Sequence, residues 1–122
     1  MTVLARHATP KASQYLQQLC KHFGHKVPAT FTETHGEVQM PLGLCVLDAA
    51  DDLLTITITP NEPEGETRLV KVIAVHLERF AWKEGGLTLS WERDGVPDTA
   101  LMAALAALPD PHKKGEDDHH EE

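Results

Sequence analysis

At 122 residues the chain has the length of one domain, with room for a single hydrophobic core. Hydrophobic residues make up 41% and charged residues 25%, an ordinary globular balance, and no apolar run approaches the roughly 20 residues that a membrane-spanning helix needs. The formal net charge is −8, and with no basic patch in evidence phosphate-driven nucleic-acid binding is disfavoured.

Val3 to Ala8 reads as a first strand. Thr9-Pro10 then resembles an N-cap followed by proline at the first helical position, and Ala12, Leu16, Leu19, Cys20 and Phe23 follow at helical spacing. A helix is predicted from about Pro10 to Phe23, with Gly24 placed where a left-handed stop prefers glycine. Three or four strands come next. Phe31 lies in ATFTET, His35-Gly36 suits a tight hairpin turn, Val38, Met40 and Leu42 alternate with polar residues or proline, and LCVL (44–47) is apolar on both faces. Asp51-Asp52 is a predicted turn, after which Leu54, Ile56 and Ile58 point inward and Thr55, Thr57 and Thr59 outward.

A second helix is predicted over residues 64–82, burying Leu69, Val70, Ile73, Leu77 and Phe80. Gly85-Gly86 breaks the chain before a last strand in which Leu87, Leu89 and Trp91 oppose Thr88, Ser90 and Glu92. The expected architecture is α+β: a two-layer sandwich of a mainly antiparallel sheet with two helices on one face, in the order β-α-β-β-β-α-β. Residues 1–95 would form that domain. Residues 96–108, capped by Asp98 and carrying Leu101, Leu105 and Leu108, would form a short helix that docks or frays. Residues 109–122, with six acids and two lysines, would be a disordered acidic and histidine-bearing tail. Val72 and Val75 lie off the second helix's core stripe, so cover by the terminal helix or by a partner chain is expected there.

The N-terminal MTVLARHATPK lacks the apolar core of an export signal, so a cytoplasmic chain with reduced cysteines is expected. Eight histidines are many for this length and direct attention to QLCKHFGHK (18–26). Cys20 belongs to the buried stripe and stands roughly 200° around the helix from His22, so the two cannot clamp one metal. Lys21, His22 and Lys26 place positive charge at the negative end of the helix, and the N–H of His25 would cap the carbonyl of Cys20. A helix terminus therefore explains the stretch without a ligand. A metal site would need a third group, for which His76 is the candidate beside His22 and His25, with Glu33 or Glu78 nearby. Tyr15 shares a boundary stripe with Gln18 and His22 and is a further ligand-contact candidate. No nucleophile elbow, phosphate-cradling glycine loop, CxxC or HExxH occurs.

Three phrases, ATPKASQYLQQLCKHFGHKVP, GEVQMPLGLCVLDAADDLLTITI and VIAVHLERFAWKEGGLTLSW, resemble the small bacterial family called domain of unknown function 2218 over roughly residues 3–93. The resemblance implies a compact α+β domain, akin to the two-layer domain that ends phosphohexomutases, and no established activity. It also implies an iron-uptake setting, because relatives occur fused to or encoded near siderophore-interacting flavin reductases. The expectation is thus a small binding or accessory domain linked to iron or siderophore handling, with a flavin-dependent siderophore reductase or a small ligand as partner and at most a divalent metal as cofactor. The alternatives are a metal-dependent or acid–base enzyme using His22, His25 and His76, and an interaction module that dimerises through Val72 and Val75.

Overall fold

In a computed structural model, residues 2–81 and 89–108 are described. The elements run β1 (Val3–Ala8), α1 (Ala12–Gly24), β2 (Ala29–Phe31), β3 (His35–Met40), β4 (Gly43–Ala50), β5 (Leu53–Pro60), a 3-10 turn (Pro63–Gly65), α2 (Glu66–Phe80), β6 (Glu92–Arg93), β7 (Val96–Pro97) and α3 (Thr99–Ala107). The strands form one antiparallel sheet in the order β2-β3-β4-β5-β1-β6-β7, with α1 and α2 packed on one side. The α+β two-layer expectation holds. The order differs in detail: four strands rather than three separate α1 from α2, and the end of the sheet is a small hairpin.

Alternation decides which side of each strand is dry. On β4, Gly43, Cys45, Leu47 and Ala49 are buried, and on β5 so are Leu54, Ile56 and Ile58. They face Leu16, Leu19 and Cys20 of α1 and Leu69, Ile73 and Leu77 of α2, all within one core. Asp51 and Asp52 both take left-handed φ angles (54° and 59°), so the expected turn is a two-residue loop whose twist fits the β4–β5 register Ala50↔Leu53.

Two turn assignments need correction. His35-Gly36 is not a hairpin turn but the start of β3. The bend lies at Thr32–Thr34, where the Thr32 hydroxyl accepts the N–H groups of Thr34 and His35. Gly36 is a glycine because α1 presses on it: a Cβ there would sit 2.6 Å from Cys20 Sγ and 3.1 Å from Leu16 Cδ2. Gly24, likewise, is not a left-handed stop. It is the last residue of α1, and the carbonyl of Phe23, not that of Cys20, takes the next N–H groups, from Lys26 and Val27.

The last strand also differs. Residues 89–91 carry no strand pairing, residues 82–88 lie outside the described residues, and the strand begins at Glu92, opposite Leu4. Asp94-Gly95 turns it back into β7. Asp98 caps α3 as expected, its Oδ1 accepting the Leu101 N–H at 2.9 Å. Arg93 then clasps three elements, donating from Nη1 and Nη2 to both Glu66 oxygens (2.9 and 2.7 Å) and from Nε to Asp98 Oδ2 (2.9 Å). The Leu101 N–H, followed by Arg93, holds the Asp98 carboxyl below the usual aspartate range.

Candidate functional site

The helical layer places the histidines as follows. α1 and α2 meet near their C-terminal ends, where the ring centroids of His22 and His76 are 4.6 Å apart. Phe23 is 4.7 Å from the His76 ring and edge-on to His22 at 5.1 Å, while Phe80 closes the corner 6.3 Å from His22. His22 is half-buried and His76 only 8% exposed. The cause is periodicity: residue 76 lies three positions past the buried Ile73 and next to Leu77, and residue 22 flanks Leu19 and Phe23.

His76 Nδ1 is 2.7 Å from the carbonyl oxygen of Val72. A carbonyl only accepts, so Nδ1 carries a proton and donates, which holds the ring in one orientation. One imidazole is thereby held in orientation by its own helix, with a second imidazole over it and phenylalanines around both. Such a corner offers ring surface against which a planar group can pack.

The other candidates fall elsewhere. His25 is exposed just past α1, beside exposed Lys26, and among the described residues no three His, Cys, Asp or Glu side chains form a group that could hold a metal ion. The expected His22, His25 and His76 triad is therefore reduced to a pair. Tyr15 is 1% exposed and belongs to the core rather than the boundary stripe, since residues 12, 15, 16 and 19 all point at the sheet. Cys20 and Cys45 are buried free thiols, and burial raises the Cys20 pKa to about 11 and pushes Cys45, next to it, higher still. At neutral pH neither is a nucleophile.

Val75 is 5% exposed within the single chain, and Val72 is half-buried. Val75, Met102, Leu105 and Trp91 line a 220 Å³ crevice between α2 and α3, and Lys71 Nζ donates to the Leu105 carbonyl at 3.0 Å. The cover at Val75 thus comes from the chain's own terminal helix. A larger groove of about 570 Å³ runs along the outer face of α1, from Pro10 and Lys11 to Gln18 and Lys21. Neither cavity is lined by His22, His25 or His76.

Sequence reading missed the Arg93 clasp and the close approach at Gly36. For the first a signal existed in Asp94-Gly95, which marks a hairpin and would have brought Arg93 back towards Asp98. For the second there was none, because a strand glycine met by helix residues as distant in sequence as Cys20 and Leu16 leaves no local pattern.

Comparison with known proteins agrees with this architecture. A family model described as an uncharacterized protein conserved in bacteria, DUF2218, matches residues 4–92. No curated protein matches. The NMR structure of PA4090 from Pseudomonas aeruginosa is similar at 26% identity, with a TM-score of 0.61 over 75% of this chain and 94% of that one. No helix among the described residues is long and apolar enough to cross a membrane. The chain belongs to the DUF2218 family.

Proposed function

We propose that this DUF2218 member is a small accessory domain that contacts a partner or ligand through the corner of His22 and His76. The observation carrying this reading is the 4.6 Å approach of two imidazoles from different helices, one locked by the Val72 carbonyl. Buried side-chain orientation of this kind is more than a solvated helix end requires. The apolar ring surface of Phe23 and Phe80 favours a planar or aromatic group over a bare ion.

The finer reading places the domain in iron or siderophore handling, serving a flavin-dependent siderophore reductase, and its support is the family resemblance. The donor set fits that setting in one form only. With two imidazoles and no third ligand among the described residues, the corner suits a complex that brings its own iron already wrapped, not one that must be stripped of it.

The test is an NMR titration of the full chain with the diamagnetic gallium(III) form of a hydroxamate siderophore, and separately with zinc(II), following assigned histidine ring signals. Gallium complex binding should shift His22 and His76 most, whereas zinc(II) should perturb His119 and His120 and leave the corner unchanged. A corner that ignores the complex at saturating concentration would remove the iron-linked reading. A zinc response centred on His22 and His76 would replace it with the metal-site alternative.

A further inference from the structure

Trp91 is the largest fully buried side chain, only 1% exposed, yet among the described residues its indole N–H has no acceptor. Tryptophan carries one side-chain donor and no acceptor, and a buried indole normally finds a partner for it. A buried donor without one opposes folding, so most buried polar groups are satisfied. The backbone holds Trp91 where it is: its carbonyl takes the Asp98 N–H at 2.9 Å, which fixes the residue at the base of α3. There it borders the 220 Å³ crevice between α2 and α3.

The rest of the crevice joins apolar walls to one cation. Val75 of α2 and Met102 and Leu105 of α3 line it, and Ser90 Oγ donates to Met102 Sδ at 3.9 Å, which steadies that wall. Lys71 also lines it and uses one of its three ammonium donors on the Leu105 carbonyl, at 3.0 Å. No carboxylate among the described residues pairs with Lys71. Glu78 lies two turns further along α2 and is already engaged. The polar groups with capacity left are therefore both donors, an indole N–H and an ammonium. What they lack is an acceptor carrying negative charge. A bare inorganic anion fits poorly, because it would shed its water against apolar side chains for only two donors. At the roughly 30 Å³ that a water occupies in the liquid, the crevice corresponds to about seven waters, or to an organic molecule of about ten closer-packed atoms.

We propose that the crevice between α2 and α3 binds a small organic monocarboxylate of about the size of benzoate. Its oxygens accept from the Trp91 indole N–H and the Lys71 ammonium, and its apolar body lies on Val75, Met102 and Leu105. The inference is independent of the histidine corner, because neither His22 nor His76 lines this space.

The test titrates the full chain with benzoate and, separately, with benzamide and acetate, following assigned side-chain signals of Trp91, Met102, His22 and His76 by NMR. Benzoate should bind saturably with a Kd of about 1 mM, an affinity open to so few atoms. It should shift the Trp91 indole N–H and slow its exchange with water, shift the Met102 methyl group, and leave both histidines in place. Benzamide keeps the ring and loses the charge, acetate keeps the charge and loses the ring, and each should bind at least about tenfold more weakly. Lys71→Gln should bring benzoate down to the affinity of benzamide. Lys71 also holds the Leu105 carbonyl, so if that variant fails to fold, benzoate against benzamide on the unaltered chain decides the matter. No saturable shift at Trp91 overturns the proposal, whether or not Met102 responds. So does benzamide binding as tightly as benzoate, because Lys71 would then play no part. Acetate matching benzoate would show an adventitious ion only, and overturns the assignment of an apolar-bodied ligand.

Discussion

Helix α1 is seated on the sheet by close-packed apolar groups, whereas α3 rests on α2 through a thinner apolar contact reinforced by charged and polar bonds. In α1, Leu16, Leu19 and Cys20 are at most 1% exposed, and the strand beneath has given up a side chain at Gly36 to let Cys20 approach. In α3 only Leu101 is fully buried, Met102 and Leu105 pack half-buried against the core, and the exposed residues are Thr99 and alanines. Polar contacts add to that packing: Asp98 caps the helix, Arg93 ties that cap to Glu66, and Lys71 holds the Leu105 carbonyl. Close packing is unforgiving of volume, while a charged clasp is unforgiving only of losing a partner. The two helices should therefore fail differently when perturbed.

The largest effect is expected at Gly36. Gly36→Ala puts a methyl group 2.6 Å from Cys20 Sγ, 3.1 Å from Leu16 Cδ2 and 3.3 Å from Phe31 Cβ. Such overpacking should cost about 1–3 kcal/mol in a urea melt monitored by circular dichroism. Adding Cys20→Ala removes the nearest atom, so the double variant should be less destabilised than the two single losses together. Simple additivity would mean that Cys20 and Gly36 do not share the contact, and the interlocked account of α1 would fail.

A smaller and more local effect is expected at the clasp. Arg93→Met removes both Glu66 bonds and the Asp98 bond but keeps much of the stem. The Arg93 side chain is 31% exposed, so water compensates in part and the global cost should be about 1 kcal/mol. Amide exchange is the sharper readout. The amides of α3 should exchange faster, and those of α1 at their former rate. Equal acceleration in both helices would show that they form one cooperative unit, and the contrast between them would dissolve.

How much of this was legible in the sequence follows from the range of the interactions. Apolar spacing in ASQYLQQLCKHF and in LTITIT places α1 and β5 and identifies their buried faces, because periodicity is local and strong. Bringing His22 near His76 required only that two such helices share one side of the sheet, and the apolar stripes imply that. Whether a third ligand joins them depends on distances between elements, which spacing within one element does not contain; His25 accordingly ended outside the pair. Gly36 was misread because a glycine forced by close approach and a glycine forced by a turn look alike in one sequence. Tyr15 was misplaced for a similar reason, since a residue at the edge of a stripe is buried or exposed according to what sits next to it.

The smallest effect is expected beside α1's seat, at His35, and it isolates what polar contacts contribute there. His35 immediately precedes Gly36, and its imidazole bridges two strands: Nδ1 lies 2.7 Å from Asp48 Oδ1 and Nε2 3.0 Å from Glu37 Oε2. Hydrogen bonds to Glu37 and then to Asp48 raise its pKa above the ordinary 6.5. Both carboxylates only accept, so the clamp needs both ring nitrogens protonated. Because the folded pKa lies above the unfolded one, the clamp's stabilisation is fully present below about pH 6.5 and is lost as pH rises through the raised value. All three side chains are roughly half exposed, so the pH-dependent change in melting temperature should be slight. Asp48→Asn and Glu37→Gln together should flatten that slope between pH 6 and pH 8 without altering amide protection in α1. If protection of Leu16, Leu19 and Cys20 instead fell with rising pH in the unaltered chain, the helix's seat would depend on the strand clamp, and the division between a close-packed α1 and a more thinly packed, clasped α3 would have to be redrawn.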